Sequence, residues 1–269
     1  MLPAMVESVE MMLERWKDVG TKEMQVYKEF KILALEVISR TAFGSDYEVG
    51  KQLFEKLGAL RLLVTKTAYK TRLPGFGMLL KDKDDVESDK LQAGMHYLIM
   101  QMIRNKEKMM ISGDEDSCIT DYLGLLLKAH HDNDGNYKLS LQDVIDDCKT
   151  FYSAGHSAIS ILLSWATFLL GIHTEWQEKA REEVQEVFGN QNPSLEGIAR
   201  LKKMGMIINE TLRLYPPAIA IPRNVPKETK VGNLVLPANL DLRIPTLALH
   251  HDPGIWGEDA HLFKPERFC

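Results

Sequence analysis

The residues most able to bind a metal or act as nucleophiles are three cysteines, Cys118, Cys148 and Cys269. They are too few and too scattered for a disulfide framework or a C-x-x-C metal site, and an odd number suits a reducing compartment. Cys148 lies beside Ile145 and Phe151 in an apolar stretch, which is typical of a small buried residue. Cys118 lies in a loop sequence, and Cys269 follows the charged and aromatic stretch "FKPERF".

A second group with defined chemistry is charged. The sequence "NETLRLYPP" places Glu210 and Arg213 three residues apart on one face of a predicted helix, where they can form an ion pair. Such a pair is usually solvated and contributes roughly 0.2–0.5 kcal/mol. Arg267, in "FKPERF", could join it, and bidentate guanidinium contacts would then allow the charges to be buried.

A third candidate is the pair of small residues Ala154 and Gly155 in "FYSAGHSAIS". Taken alone, small residues at this spacing indicate close helix packing or a local distortion of the helix. They carry no chemistry of their own.

The elements that must position these residues are mainly helices. Helical periodicity predicts helices at about 4–18, 24–43, 48–66, 84–108, 119–130, 140–171, 173–188 and 200–214. Ser140 is a suitable N-cap for the sixth of them, although Asp143 is a poor capping-box carboxylate. The sequence "TKVGNLVLPANLDLRIPT" predicts a small hairpin with turns at 232–233 and 237–238, and 219–221 forms a short β element. The fold class is therefore mainly α with a small β element.

Composition excludes some functions. The chain is 45% hydrophobic and 26% charged, with a net charge of −5 and no basic stripe, so nucleic acid is not an expected partner. The first twenty residues contain glutamates among apolar positions, which excludes a signal peptide or membrane span and predicts an internal amphipathic helix. Residues 69–85 form a connector, with membrane-surface contact as the alternative. No repeat or linker divides residues 1–269, which we predict to form a single partial domain.

Four longer segments carry a family resemblance. The sequences "EVISRTAFGSDYEVG", "DYLGLLLKAHHD", "DVIDDCKTFYSAGH" and "LALHHDPGIWGEDAHLFKPERF" resemble a cytochrome P450, and more closely a plant P450 of the seventy-two clan. The resemblance implies a partial cytochrome P450 fold and haem as cofactor. It also implies haem-thiolate monooxygenation of a small apolar substrate, with NADPH-cytochrome P450 reductase as partner, at the cytosolic face of the endoplasmic reticulum membrane. The substrate itself is not indicated.

The resemblance also assigns roles on the central helix. Ala154 and Gly155 match the groove over the haem. The acid and alcohol of the family's "AGxET" proton relay are replaced by Ser157 and Ala158, so we expect no catalytic residue here and doubtful oxygen activation.

Other positions follow the same resemblance. Glu210, Arg213 and Arg267 match a structural charge network that stabilises the haem-side core without contacting substrate. Arg223 lies near a position that contacts a haem propionate, although Pro222 stands where the family has Thr. The expected substrate pocket is lined by Ser153, Ile219, Ala220 and Ile221.

Cys269 is not expected to be the haem ligand. It directly follows "PERF", whereas the family's cysteine lies in a later loop containing glycine and arginine, whose backbone donors tune the sulfur. The resemblance therefore implies a truncated copy that covers about helix D to the PERF segment, without membrane anchor or haem-cysteine loop. We expect such a fragment not to bind haem and to be inactive. The alternatives are a non-catalytic helical interaction protein and an incomplete gene model of a full enzyme.

Overall fold

The computed structural model describes residues 1–19, 23–44, 47–67, 82–112, 121–132 and 138–269. Cys118 and most of the 69–85 connector lie outside the described residues. The longer helices are α1 (Leu2–Val19), α2 (Val26–Ala42), α3 (Tyr47–Thr67), α4 (Lys83–Ile111), α5 (Tyr122–His131), α6 (Leu141–Ile172), α7 (Thr174–Phe188) and α9 (Lys202–Leu214). Each predicted helix is present with bounds that differ by a few residues.

The short elements are less well predicted. Three helices of four or five residues were not anticipated: α8 (Leu195–Ile198), α10 (Thr246–His250) and α11 (Pro253–Trp256). A 3₁₀ helix covers Pro265–Phe268. The strands are β1 (Ile221–Val225), β2 (Thr229–Val231), β3 (Leu234–Leu236) and β4 (Leu240–Ile244). The prediction of a mainly α fold with a small β element is confirmed.

The strand pairing corrects one part of the hairpin prediction. β2 and β3 form the expected antiparallel hairpin about Gly232, whose φ of 58° is accessible to glycine. β4 does not extend this hairpin but pairs antiparallel with β1, from Ile221 opposite Ile244 to Val225 opposite Leu240. The reason is the turn between β3 and β4: Asn239 adopts a φ of 60°, and its N–H donates to the Val225 carbonyl at 2.6 Å.

The start of α6 shows a second correction. Ser140 Oγ accepts from the Asp143 N–H at 3.1 Å, as an N-cap should, and the Asp143 carboxylate accepts from the Ser140 N–H at 2.8 Å. Asp143 therefore serves well as the capping-box carboxylate, and the prediction that it would not was wrong. Hydrogen bonds from the Ser140 side chain and backbone lower the pKa of Asp143.

The chain divides into two compact units, 1–157 and 158–269, and the division falls inside α6. Each unit has its own apolar core. In the first, α2 to α5 and the first half of α6 bury a cluster in which Phe43 stacks on Tyr152 with ring centroids 4.3 Å apart. In the second, Trp165 stacks on Tyr215 at 3.8 Å beside a smaller cluster that includes Trp176. The single-domain interpretation stays a prediction.

α6 is also the one described helix that is long and apolar enough to cross a membrane by length and composition. A core helix of a soluble protein meets the same criterion, so this observation alone decides nothing about the membrane.

Candidate functional site

The most deeply buried ion pair among the described residues of the second unit lies within one helix. On α9, Arg213 donates from Nε to Glu210 Oε2 at 2.7 Å and from Nη2 to Oε1 at 2.8 Å. Both side chains are almost completely buried. The remaining guanidinium donors reach backbone carbonyls of the segment after β4, at Ala260 (2.6 Å), His250 (2.8 Å) and Leu262 (3.1 Å). Arg213 thus joins α9 to the chain that leads to the 3₁₀ helix.

Arg267 is the third member of this cluster, but it makes no hydrogen bond to Glu210. Its Nε lies 3.6 Å from Glu210 Oε1, too far for a hydrogen bond. Its other nitrogens donate to the Trp256 carbonyl at 2.9 Å and to the Asp259 carbonyl at 2.7 Å, and Nη2 also pairs with the Asp259 carboxylate. Glu210 Oε1 accepts instead from the Lys264 N–H at 2.9 Å. The structure therefore brings together Glu210, Arg213 and Arg267, with Glu210 at the centre.

Asp259 is a member of this cluster that sequence reasoning missed. Hydrogen bonds from Lys264 and then Arg267 lower its pKa to about 2. Its sequence signal is an acidic residue eight positions before an arginine, and the segment between them forms turns, so no regular helix or strand relates the two.

The first half of α6 positions a second set of predicted residues. Ala154 is exposed, and Ser153, Gly155 and Ser157 are half-buried. A Cβ atom at Gly155 would lie 2.8 Å from Ile38 Cδ1, so the glycine allows close packing of α6 on α2. Ala158, in the second unit, is exposed.

A series of hydrogen bonds links His156, Ser157 and Arg61 at the position predicted for the relay acid. His156 Nδ1 lies 2.9 Å from the Tyr152 carbonyl, so Nδ1 carries the proton, and Nε2 accepts from Ser157 Oγ at 3.1 Å. Ser157 Oγ in turn accepts from Arg61 Nη1 at 3.2 Å. Burial, and then the charges of Arg61 and Lys31, lower the pKa of His156, which favours the neutral imidazole. Neither His156 nor Arg61 was identified from the sequence.

A cavity of about 390 Å³ that is open to the surface lies beside these hydrogen-bonded residues, between α3, α4 and α6 in the first unit. Its lining residues are Leu57, Leu60, Gln92, Met95, Lys149, Thr150, Ser153 and Ala154. Two of them, Ser153 and Ala154, were predicted as site residues. A larger open groove of about 960 Å³ follows α7 in the second unit, and it is lined by none of the predicted residues.

The remaining predicted residues lie in the second unit. Arg223 is exposed on β1, and its Nη1 donates to the Pro222 carbonyl at 2.8 Å. Ile219 is exposed, whereas Ala220 and Ile221 are half-buried at the start of β1. These three lie in one short segment, as expected from the sequence, while Ser153 belongs to the other unit.

The described residues meet part of what a haem group requires. The small side chain of Ala154 leaves its helix face open to a flat apolar ring, and the exposed guanidinium of Arg223 could pair with a propionate. Two cysteines, Cys148 and Cys269, lie in the part of the chain that the structure describes. Burial raises the pKa of Cys148 to about 12, so this thiol stays protonated, and Cys269 is exposed at the end of the 3₁₀ helix. Within the described ranges, no cluster of three or more His, Cys, Asp or Glu side chains could hold a metal ion.

Comparison with known proteins identifies the family. The sequence profile of the family described as Cytochrome P450 matches residues 1–269. The chain is 54% identical over 269 residues to "Cytochrome P450 CYP749A22" of Panax ginseng, covering 100% of this chain and 51% of that protein. It is 42% identical to "11-oxo-beta-amyrin 30-oxidase" of Glycyrrhiza uralensis and 38% identical to "Cytochrome P450 CYP72A616" of Paris polyphylla, covering 100% of this chain and 53% of each relative.

The chain spans about half the length of the curated relatives it matches. The match to the family nevertheless runs through the whole chain, with plant relatives that include a CYP72A protein, as the sequence segments predicted. The chain belongs to the cytochrome P450 family.

Proposed function

We propose that this chain belongs to a haem-thiolate monooxygenase and that the 269 residues alone are inactive. In the reaction of such an enzyme one atom of dioxygen is inserted into a small apolar substrate and the other leaves as water, with two electrons and two protons consumed. The electrons would come from NADPH-cytochrome P450 reductase at the cytosolic face of the endoplasmic reticulum membrane. The observation that carries the proposal is the family match over residues 1–269.

The contacts of the described residues support a division of roles. Glu210, Arg213 and Arg267 would act structurally, because Glu210 and Arg213 form a buried ion pair and both arginines donate to backbone carbonyls. Haem, when bound, would supply the oxygen chemistry, and Ala154, Gly155 and Arg223 are the residues proposed to contact it.

Four residues are each proposed to contact substrate: Ser153 in the first unit, and Ile219, Ala220 and Ile221 in the second. Ser153 lines the cavity beside α6, whose apolar walls suit an apolar molecule. One relative is named 11-oxo-beta-amyrin 30-oxidase, and we propose a substrate related to the one in that name.

Proton delivery is proposed to be weak at this site. Ser157 and Ala158 stand where the family pattern has an acid and an alcohol, and the Ser157 hydroxyl proton is directed to His156 Nε2. A hydroxyl whose proton is already donated to imidazole is a poor proton source for a bound ligand. We therefore expect much of the reducing equivalents to be released as hydrogen peroxide instead of product.

The test uses the full-length protein that contains this chain, loaded with haem. The reduced, carbon-monoxide-bound absorption spectrum should show the red-shifted Soret band of a thiolate ligand, and Cys269→Ala should leave that band unchanged. NADPH and reductase should then oxidise an apolar substrate with incorporation of one oxygen atom. A protein that shows only a histidine-type or free-haem spectrum would favour the alternative of a non-catalytic interaction protein.

A further inference from the structure

Arg61 is a cation whose described contacts are all neutral. It lies exposed on α3, and its guanidinium donates to Ser157 Oγ at 3.2 Å and to the carbonyl and Oγ of Ser153, each at 3.4 Å. Among the described residues no carboxylate lies within ion-pair distance of Arg61. Three long bonds from Nη1 and Nη2 thus engage only part of the five N–H donors of a planar fork that suits a carboxylate best.

The groups around Arg61 increase the positive potential there. Lys31 on α2 and Arg61 on α3 are both close enough to His156 to lower its pKa, after the larger effect of burial, and no acidic side chain contributes to that shift. The two serines are neutral. An anion that reached Arg61 would therefore meet an exposed guanidinium with no acidic partner among the described residues, and a charge-assisted hydrogen bond is stronger than a neutral one.

The space beside Arg61 is suited to an apolar body. Ser153, which accepts from Arg61, also lines the cavity of about 390 Å³. The cavity wall includes Leu57, Leu60 and Met95. Lys149 is the charged residue of that lining, and it pairs with Asp146 at 2.9 Å, so it does not compete for an anion as an unpaired cation would.

We propose that Arg61 binds the carboxylate of an apolar acid whose hydrocarbon body occupies the cavity lined by Leu57, Leu60 and Met95. This inference rests on the proposed function, because it names the substrate class of the same monooxygenase: apolar carboxylic acids in preference to the corresponding alcohols or esters. Arg61 is then a specificity-determining residue. Ser157 strengthens the argument because it stands where the family pattern has an acid. An acidic side chain at this position would form an ion pair with Arg61, and the guanidinium would then be unavailable to a ligand.

The experiment measures binding instead of turnover. Equilibrium dialysis of the full-length, haem-loaded protein would use dehydroabietic acid, its methyl ester and its alcohol, a rigid series that differs only at the charged group. The variants are Arg61→Gln, which removes the cation, and Ser157→Glu, which keeps the cation but supplies an internal partner. Arg104→Gln, at an exposed position on α4, is the control for loss of one positive charge.

The wild-type protein should bind the acid more tightly than the ester or alcohol. Arg61→Gln and Ser157→Glu should each weaken acid binding by roughly 5- to 20-fold, the range expected for one partly exposed charge-assisted hydrogen bond, and change ester and alcohol binding by less than about 2-fold. Arg104→Gln should change none of the three. The inference is overturned if the acid does not bind, binds no better than the alcohol, or binds equally to wild type and Arg61→Gln.

The carbon-monoxide spectrum of the same preparations separates the two proposals. A thiolate-type spectrum with no effect of Arg61→Gln overturns the acid preference and leaves the monooxygenase proposal standing. Arg61-dependent acid binding without a thiolate-type spectrum would support the acid-binding site and overturn the monooxygenase proposal, because the site would then be present in a protein that is not a monooxygenase.

Discussion

Arg213 binds both carboxylate oxygens of Glu210, and the two side chains are 1% and 0% exposed. Two desolvated charges in this arrangement are stabilised by the pair itself and by the backbone carbonyls and N–H groups around it. Removal of one partner leaves the other charged group buried and unpaired. This pair connects α9 with the chain segment that ends in the 3₁₀ helix, so loss of the pair should lower the stability of the second unit.

Substitution of Glu210 by Ala should lower the free energy of unfolding by about 3–5 kcal/mol, the range for breaking a buried ion pair. The matched control is Glu178→Ala on α7, because Glu178 and Arg181 form a pair with the same three-residue spacing but with side chains that are 60% and 64% exposed. That variant should lose no more than about 0.5 kcal/mol. Urea unfolding measures both. Similar losses for the two variants would show that the buried pair contributes no more than a surface pair.

The sequence predicted the long helices well because their apolar periodicity extends over many turns. It predicted the pairing of Glu210 with Arg213, since that contact depends only on helical spacing. The pairing of β4 with β1 was not predictable, because it is decided by the backbone of Asn239 and not by alternation in the strands.

Arg61 and His156 show the same limit at the candidate site. Arg61 reaches Ser157 from a helix 96 residues away in sequence, and no local pattern relates the two. The sequence assigned no role to His156, and its role became visible only through its distances to Ser157 and Tyr152. Family resemblance indicated positions on α6 but not the contacts that other helices make with them.

Stability should depend on pH through His156. Burial, with Arg61 and Lys31, lowers its folded-state pKa below the ordinary value of 6.5. The folded state then binds this proton less readily than the unfolded state. The contribution to stability is therefore complete above pH 6.5 and is lost as the pH falls from there through the folded-state pKa.

The measurement is urea unfolding of wild type and His156→Gln at about pH 7.5 and about pH 5.5. The wild type should lose more stability between the two pH values than the variant, because glutamine does not titrate. Equal losses would assign the pH dependence to other groups and contradict the neutral, buried state of His156.

The two described cysteines should differ in reactivity. The thiolate is the nucleophile toward iodoacetamide, and burial raises the pKa of Cys148 to about 12, whereas Cys269 is exposed. Under native conditions Cys269 should be alkylated while Cys148 is not, and both should react in denaturing urea. Peptide mass spectrometry assigns each site. Alkylation of Cys148 in the native protein at the rate of Cys269 would contradict its burial.

Two glycines on α3, the helix that carries Arg61, should respond in opposite ways to alanine. A Cβ at Gly50 would overlap Ser39 Oγ and lie 3.1 Å from Ser39 Cβ, so α2 or α3 must shift. Gly50→Ala should therefore destabilise by about 1–3 kcal/mol. A Cβ at Gly58 would have no neighbour within 4 Å among the described residues, and Gly58→Ala should stabilise by roughly 0.5–1 kcal/mol because alanine loses less backbone entropy on forming a helix. Thermal unfolding compares them.

Adding Ser39→Ala to Gly50→Ala should recover part of the loss, since it removes the overlapping oxygen. If both glycine variants shift the melting temperature in the same direction, the close contact between α2 and α3 at Gly50 is wrong.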